Sequence, residues 1–152
     1  MAIREILTKG NELLNKKCHP VTVFDRRLWT LLDDMKDTLK DANGVGLAAP
    51  QIGIMRRIFI MDDGEKVMEF INPEIISRGA YHEVAEGCLS LPGVSGMVRR
   101  PQKVHIRAMD RNSQVFEMDL TELMAQCAEH ENDHLDGHLF DEKIVGPVPD
   151  EE

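Results

Sequence analysis

His130-Glu131-Asn132-Asp133-His134 constrains this chain more than any other stretch, because two imidazoles four residues apart meet one ion only when the backbone between them is helical. On an α-helix, positions i and i+4 share a face and lie about 6 Å apart along the axis. Glu131 then falls beside them as a candidate base. The motif is widely associated with zinc-dependent peptide-bond chemistry, and what it does in a given chain depends on a third ligand.

The rest of the composition narrows the setting. At 152 residues the chain is expected to form a single domain over 1–152, with an acidic tail at 147–152 that frays. Charged residues make up 30% and apolar ones 42%, and no apolar run approaches the roughly 20 residues that span a bilayer. Arg4, Glu5, Lys9 and Glu12 break up any signal-peptide core, so a cytoplasmic address is expected, with no membrane association. A net charge of -9 argues against a nucleic-acid footprint, although a local basic patch is compatible with it. Cys18, Cys88 and Cys127 are an odd number, which makes a disulfide framework a poor reading; Cys18 is read as structural.

Leu28, Leu31, Leu32, Met35, Leu39 and Ala42 recur at spacings of three and four, predicting an amphipathic helix over 25–42 with Asp25 as N-cap and Gly44 as stop. Between roughly 56 and 120 the pattern changes to short β-rich runs such as 57–61, 66–71 and 103–108. Asp62-Asp63-Gly64, Asn72-Pro73, Pro92-Gly93 and Asp110-Arg111-Asn112 read as turns between them. From Thr121, read as an N-cap, helical character returns over 122–135 and ends at Asp136-Gly137; Leu139-Phe140 and 143–145 then suggest a last strand. The expected fold is α+β: an N-terminal helix, mixed mainly antiparallel β-sheets, and a C-terminal metal-binding helix packed against them.

Metalloproteases that use this helix motif take a third ligand downstream, either a His six residues after the second His or a Glu on a later helix. The first position is Phe140, and the 18 residues after His134 include Gly146, Pro147 and Pro149, which leave no room for a later helix. The third ligand therefore comes from upstream. The best candidate is Cys88 in Glu86-Gly87-Cys88-Leu89-Ser90, where Gly87 lets the backbone approach something closely. A lone Cys is ordinarily a small buried hydrophobe, but thiolate plus two imidazoles suits zinc or ferrous iron and leaves a fourth position open. Gly44-Val45-Gly46-Leu47-Ala48-Ala49 matches a dinucleotide fingerprint, yet it follows a helix instead of a strand, and Pro50 falls inside the helix it would have to open. Backbone laid against a substrate is the better reading.

Taken together, Gly44-Val45-Gly46-Leu47-Ala48-Ala49-Pro50-Gln51, Glu86-Gly87-Cys88-Leu89-Ser90 and the His130 to His134 motif resemble the three ordered motifs of the peptide deformylase family. The similarity covers nearly the whole chain, including His19-Pro20-Val21, Ile71-Asn72-Pro73 and Arg99-Arg100-Pro101. The resemblance implies a metal-dependent hydrolase that removes the formyl group from N-formylmethionine on newly synthesised polypeptides, releasing formate. It implies that Cys88, His130 and His134 hold the metal, usually Fe2+, with Zn2+, Ni2+ or Co2+ as substitutes. Water activated at the metal would attack the formyl carbon while Glu131 moves the proton, and Gln51 with the Leu89 N–H would hold the oxyanion. The peptide would lie along Gly44, Val45, Gly46 and Leu47 like an added strand, near Gly87, with Val45, Leu123 and Cys127 lining the methionine pocket. Asp133 is expected to pair with Arg100 behind the ligands. The favoured state is a monomer working on nascent chains at the ribosome.

Four positions depart from the family pattern. Glu129 replaces a glutamine, Ser95 an arginine, Glu122 a small residue and His138 an aliphatic one. None is a ligand or a catalytic group; Glu129 lies about 100° around the helix from His130. The alternatives are a metallopeptidase, against which Phe140 argues, and a catalytically impaired metal-binding paralogue, against which the intact Glu131 and Gln51 argue.

Overall fold

Ile58, Phe59, Ile60 and Met61 are all fully buried, and their alternation decides the architecture. Successive strand side chains point to opposite faces, so Ile58 and Ile60 enter one core while Phe59 and Met61 enter another. A strand buried on both faces must be covered on both, and two helices supply the covers. The computed structural model describes residues 2–149.

The first helix, α1 (Arg26–Ala42), puts Leu28, Leu31, Leu32, Met35 and Leu39 against Leu47, Ile58, Ile60 and Ile71. Its N-cap is Asp25, whose carboxylate accepts from the Leu28 N–H at 3.2 Å. The stop differs from the expected Gly44. Asn43 takes the left-handed conformation (φ 54°), which Asn tolerates better than most residues, and its N–H closes the last turn. Six strands follow in one hydrogen-bonded sheet: β1 (Gly46–Ala48), β2 (Ile58–Asp62), β3 (Val67–Cys88), β4 (Leu91–Met109), β5 (Val115–Thr121) and, near the end, β6 (Ile144–Gly146). The order is β1-β2-β3-β4-β5, with β6 pairing to β4, and every ladder is antiparallel. The second helix, α2 (Glu122–Leu135), lays Ala125, Ala128 and Leu135 on Phe59, Met61, Phe70 and Ile106. Each fully buried side chain of this size contributes about 1.5–3 kcal/mol.

Two expected turns are instead irregularities inside long strands. Asn72-Pro73 lies within β3, where the register shifts between Ile71 and Glu74. Proline cannot donate to a ladder, so it sits at the bulge. Asn72 (φ 50°) meanwhile brackets Val21, accepting from its N–H at 2.7 Å and donating to its carbonyl at 2.9 Å. Pro92-Gly93 falls at the start of β4, because the hairpin turns three residues earlier, at Leu89-Ser90, with Cys88 opposite Leu91. The next pair is Gly87 with Ser95, so Pro92, Gly93 and Val94 bow out of the ladder.

At the other end, Thr121 precedes α2 without a side-chain cap bond, and Glu122 has φ 54°, a backbone that favours glycine and makes sense of a small residue there. Leu139-Phe140 is not strand: 140–143 form a 3-10 turn and only 144–146 pair with β4. Residues 147–149 are in neither helix nor strand, and 150–152 of the tail lie outside the described residues. No helix of the described residues is long and apolar enough to cross a membrane.

Gly137 ends α2 with φ 83°, and a Cβ there would sit 2.8 Å from the backbone C and O of Asn15. Gly137→Ala is therefore expected to destabilise the protein by about 2–4 kcal/mol, combining left-handed strain with overpacking. Urea denaturation reads this as a lower midpoint; an unchanged midpoint contradicts the close approach.

Candidate active site

Three sequence-distant elements converge at one end of the sheet. The tip of β3 brings Cys88, α2 brings His130 and His134, and the 3-10 turn after β1 (Ala49–Ile52) brings Gln51. One donor atom from each of Cys88, His130 and His134 lies within 4.8 Å of the other two. Cys88 Sγ is 3.3 Å from His134 Nε2, and the two imidazoles meet edge-on at 73° with centroids 5.0 Å apart. A thiolate and two imidazoles converging at this spacing fit a single zinc or ferrous ion. Phe140 instead packs against His130 at 5.9 Å between ring centroids, so the downstream position used by metalloproteases is filled by a buried phenyl ring.

The orientation of His130 is set from behind. Glu86, two residues before Cys88 and so on the same side of the strand, accepts from His130 Nδ1 at 2.7 Å. This contact leaves His130 Nε2 for the ligand cluster, the usual carboxylate–imidazole arrangement behind a metal. Arg100, 2% exposed, forks onto Glu86 at 3.1 and 2.7 Å and reaches Asp133 at 2.7 Å. Gln126 adds a bond to Glu86 at 3.3 Å, and Lys143 one to Asp133 at 3.2 Å. Burial raises the Glu86 carboxyl, but the bonds from His130 and Arg100 outweigh it and hold its pKa at about 2. Glu86 is thus a fixed negative charge behind His130.

Glu131 has the opposite balance. Burial pushes it up to about 7; the charge of His130 opposes that rise and the charge of Glu86 adds to it. A carboxyl poised near neutrality suits a group that takes up and returns a proton. Its Oε1 is buried with no hydrogen-bond partner among the described residues, while Oε2 lies 3.9 Å from Cys127 Sγ. Burial lowers His134 to about 3, which keeps it neutral, as a ligand must be.

Gln51 is 1% exposed and fixed at both ends of its amide. Its Oε1 accepts from the Ala48 N–H at 2.9 Å, so Nε2 faces the cluster, donating to Ser90 Oγ at 3.1 Å with Cys88 Sγ 3.7 Å away. Leu89 opens the two-residue turn beside it, and among the described residues its N–H meets no backbone acceptor. Gln51, Cys88, Leu89, His130 and Glu131 line a cavity of about 460 Å³ that also touches Gly44, Val45, Gly46, Gly87, Leu123 and Cys127. Leu47 faces the core behind it, fully buried. Among the described residues β1 has a neighbouring strand on one side, β2, and Gly46 of β1 with Gly44 and Val45 before it line this cavity. Gly46 is required by closeness: a Cβ there would come within 2.5 Å of Cys127 Sγ and 2.7 Å of Glu131 Oε2.

Sequence reasoning assigned no role to Glu86, Gln126 or Ser90. Glu86 was findable from its strand spacing to Cys88, and Gln126 from its place one helical turn before His130. The four departures lie outside the ligand cluster. Glu129 is clasped by Arg78 Nε at 2.9 and 3.0 Å, His138 is exposed and 3.2 Å from Glu142, and Ser95 and Glu122 are exposed.

The polypeptide deformylase family model matches residues 3–148. A peptide deformylase of Caldicellulosiruptor bescii is 49% identical over 152 residues, 100% of this chain and 92% of that relative. The crystal structure of a peptide deformylase from Legionella pneumophila superposes with a TM-score of 0.92 at 45% identity, over 95% of this chain and 87% of that one. That of the Thermotoga maritima peptide deformylase superposes with a TM-score of 0.93 at 34% identity, over 95% and 99%.

Glu86→Gln removes the charge that orients His130 while preserving shape. It is expected to weaken metal binding about 10–100-fold, measured by competition with a chelator under anaerobic conditions. Unchanged affinity contradicts the orienting role.

Proposed function

The chain belongs to the polypeptide deformylase family, a metal-dependent family that removes the N-formyl group from nascent polypeptides, and we propose the following division of labour for that reaction. Cys88, His130 and His134 hold the metal. A bound divalent cation supplies Lewis acidity, polarising the formyl oxygen and acidifying water. Glu131 takes the proton from the attacking water and returns it to the leaving amine, a role supported by its burial beside the ligand cluster and by an Oε1 that meets no hydrogen-bond partner among the described residues. Gln51 Nε2 and the Leu89 N–H bond the oxygen that becomes negative; one such donor is worth about 2.7–4 kcal/mol in the barrier.

The formylated peptide lies extended against the edge of β1 away from β2, its backbone along Gly44, Val45, Gly46 and Leu47 and close to Gly87. Its methionine side chain enters the space among Val45, Leu123 and Cys127. Arg100 and Asp133 act indirectly, through Glu86 and the position of α2. The native ion is Fe2+ on the family resemblance, and the donor set also accommodates Zn2+, Ni2+ or Co2+. One catalytic domain spans 1–152 and works as a monomer on chains emerging from the ribosome. Three free cysteines, one of them a ligand, fit the reducing cytoplasm.

The single observation that carries this reading is the convergence of the Cys88, His130 and His134 donors, within 4.8 Å, at a cavity lined by Cys88, His130, Gln51 and Glu131. Iron-loaded protein prepared without oxygen is expected to release formate from formyl-Met-Ala-Ser. Glu131→Gln is expected to retain metal and lose about 10²–10⁴-fold in turnover, whereas Cys88→Ala loses the metal. Metal-loaded parent that releases no formate contradicts the reading, and Cys88→Ala that binds iron as tightly as the parent contradicts the ligand set.

A further inference from the structure

Among the described residues no β-ladder directly joins the two segments that supply the oxyanion groups: Gln51 comes from the turn after β1, and Leu89-Ser90 from the β3–β4 hairpin. Direct contact between the segments includes the contacts of Gln51 Nε2 with Ser90 Oγ at 3.1 Å and Cys88 Sγ at 3.7 Å, both made by one side chain. A third segment lies across both. The Leu7 N–H donates to the Gln51 carbonyl at 2.7 Å, and the Lys9 N–H donates to the Ser90 carbonyl at 2.8 Å. The two donors are only two residues apart in one short segment, so the chain between Leu7 and Lys9 ties the two acceptors together.

The same segment is anchored beyond these bonds. Lys9 pairs with Asp141, and Leu14 is buried with Leu91, Leu139 and Phe140. The Cys18 N–H donates to the Leu135 carbonyl at the end of α2 at 2.8 Å. One stretch of chain therefore touches the Gln51 turn, the Cys88 hairpin and the metal-binding helix.

We propose that residues 7–9 are a positioning strap whose two backbone N–H groups set the separation of the oxyanion donors, so that Leu7 acts through Gln51 and Lys9 through the Leu89-Ser90 turn. The proposal rests on Gln51 and Leu89 being those donors. Because it uses amides and not side chains, it is sensitive to proline and tolerant of ordinary substitution.

The test is steady-state deformylation of formyl-Met-Ala-Ser by full-length, iron-loaded Leu7→Pro and Lys9→Pro, with Thr8→Ala as control. Displacement of the donors is expected to lower kcat about ten- to hundred-fold, with KM and metal content unchanged and Thr8→Ala like the parent. Combining Leu7→Pro with Gln51→Leu should cost little beyond Gln51→Leu alone, because the strap then has no donor to position. Full kcat in metal-loaded proline variants overturns the strap, as does a strictly additive double mutant. A full kcat in Gln51→Leu itself overturns the oxyanion assignment instead.

If the proline variants do not fold, amide exchange on the active parent decides. Protection at Leu7 and Lys9 equal to that at Ala48 supports the strap, and rapid exchange at both in fully active protein overturns it.

Discussion

The buried Arg100 guanidinium is the contact on which the site depends. It sits on β4 and reaches Glu86 on β3 and Asp133 on α2, joining three elements through one planar cation. Burying such a charge costs several kcal/mol, and the arrangement survives because the fork meets carboxylates on both sides. Glu86 in turn holds His130 by Nδ1, so the ion pair is converted into the aim of a metal ligand. Removal of Arg100 leaves the buried Glu86 carboxylate without its guanidinium partner, which is why the two act as a unit.

The two-sided core explains how that network comes to stand where it does. Because β2 is buried on both faces, α1 and α2 are pressed onto opposite sides of the same strands. The apolar contacts of α2 fix its rotation, and that rotation turns His130, Glu131 and His134 toward the tip of β3. The N-terminal strand edge then closes on the helix at Gly46, where only a glycine leaves room for Glu131. Burial that serves packing also raises Glu131 toward neutrality and holds His134 neutral, so one desolvated pocket tunes two groups in the directions the chemistry needs.

Much of this was legible in the residue pattern, for identifiable reasons. The period of α1 and the His-Glu-x-x-His spacing belong to single elements, and their geometry follows from local helix rules. Cys88 stood out because the downstream ligand positions were chemically excluded. The turns at Asn72-Pro73 and Pro92-Gly93 were misread because proline and glycine also mark bulges, and only long-range pairing tells a bulged strand from a broken one. Glu86 went unassigned because its partners are 14 and 44 residues away. The bonds from Leu7 and Lys9 were invisible in principle: a backbone N–H carries no residue identity.

The central claim is that one thiolate and two imidazoles are held ready for a single ion. X-ray absorption spectroscopy of zinc-loaded protein tests it most directly. One sulfur scatterer is expected at about 2.3 Å and two imidazole nitrogens at about 2.0–2.1 Å, with the sulfur lost in Cys88→Ala. A first shell containing no sulfur contradicts it.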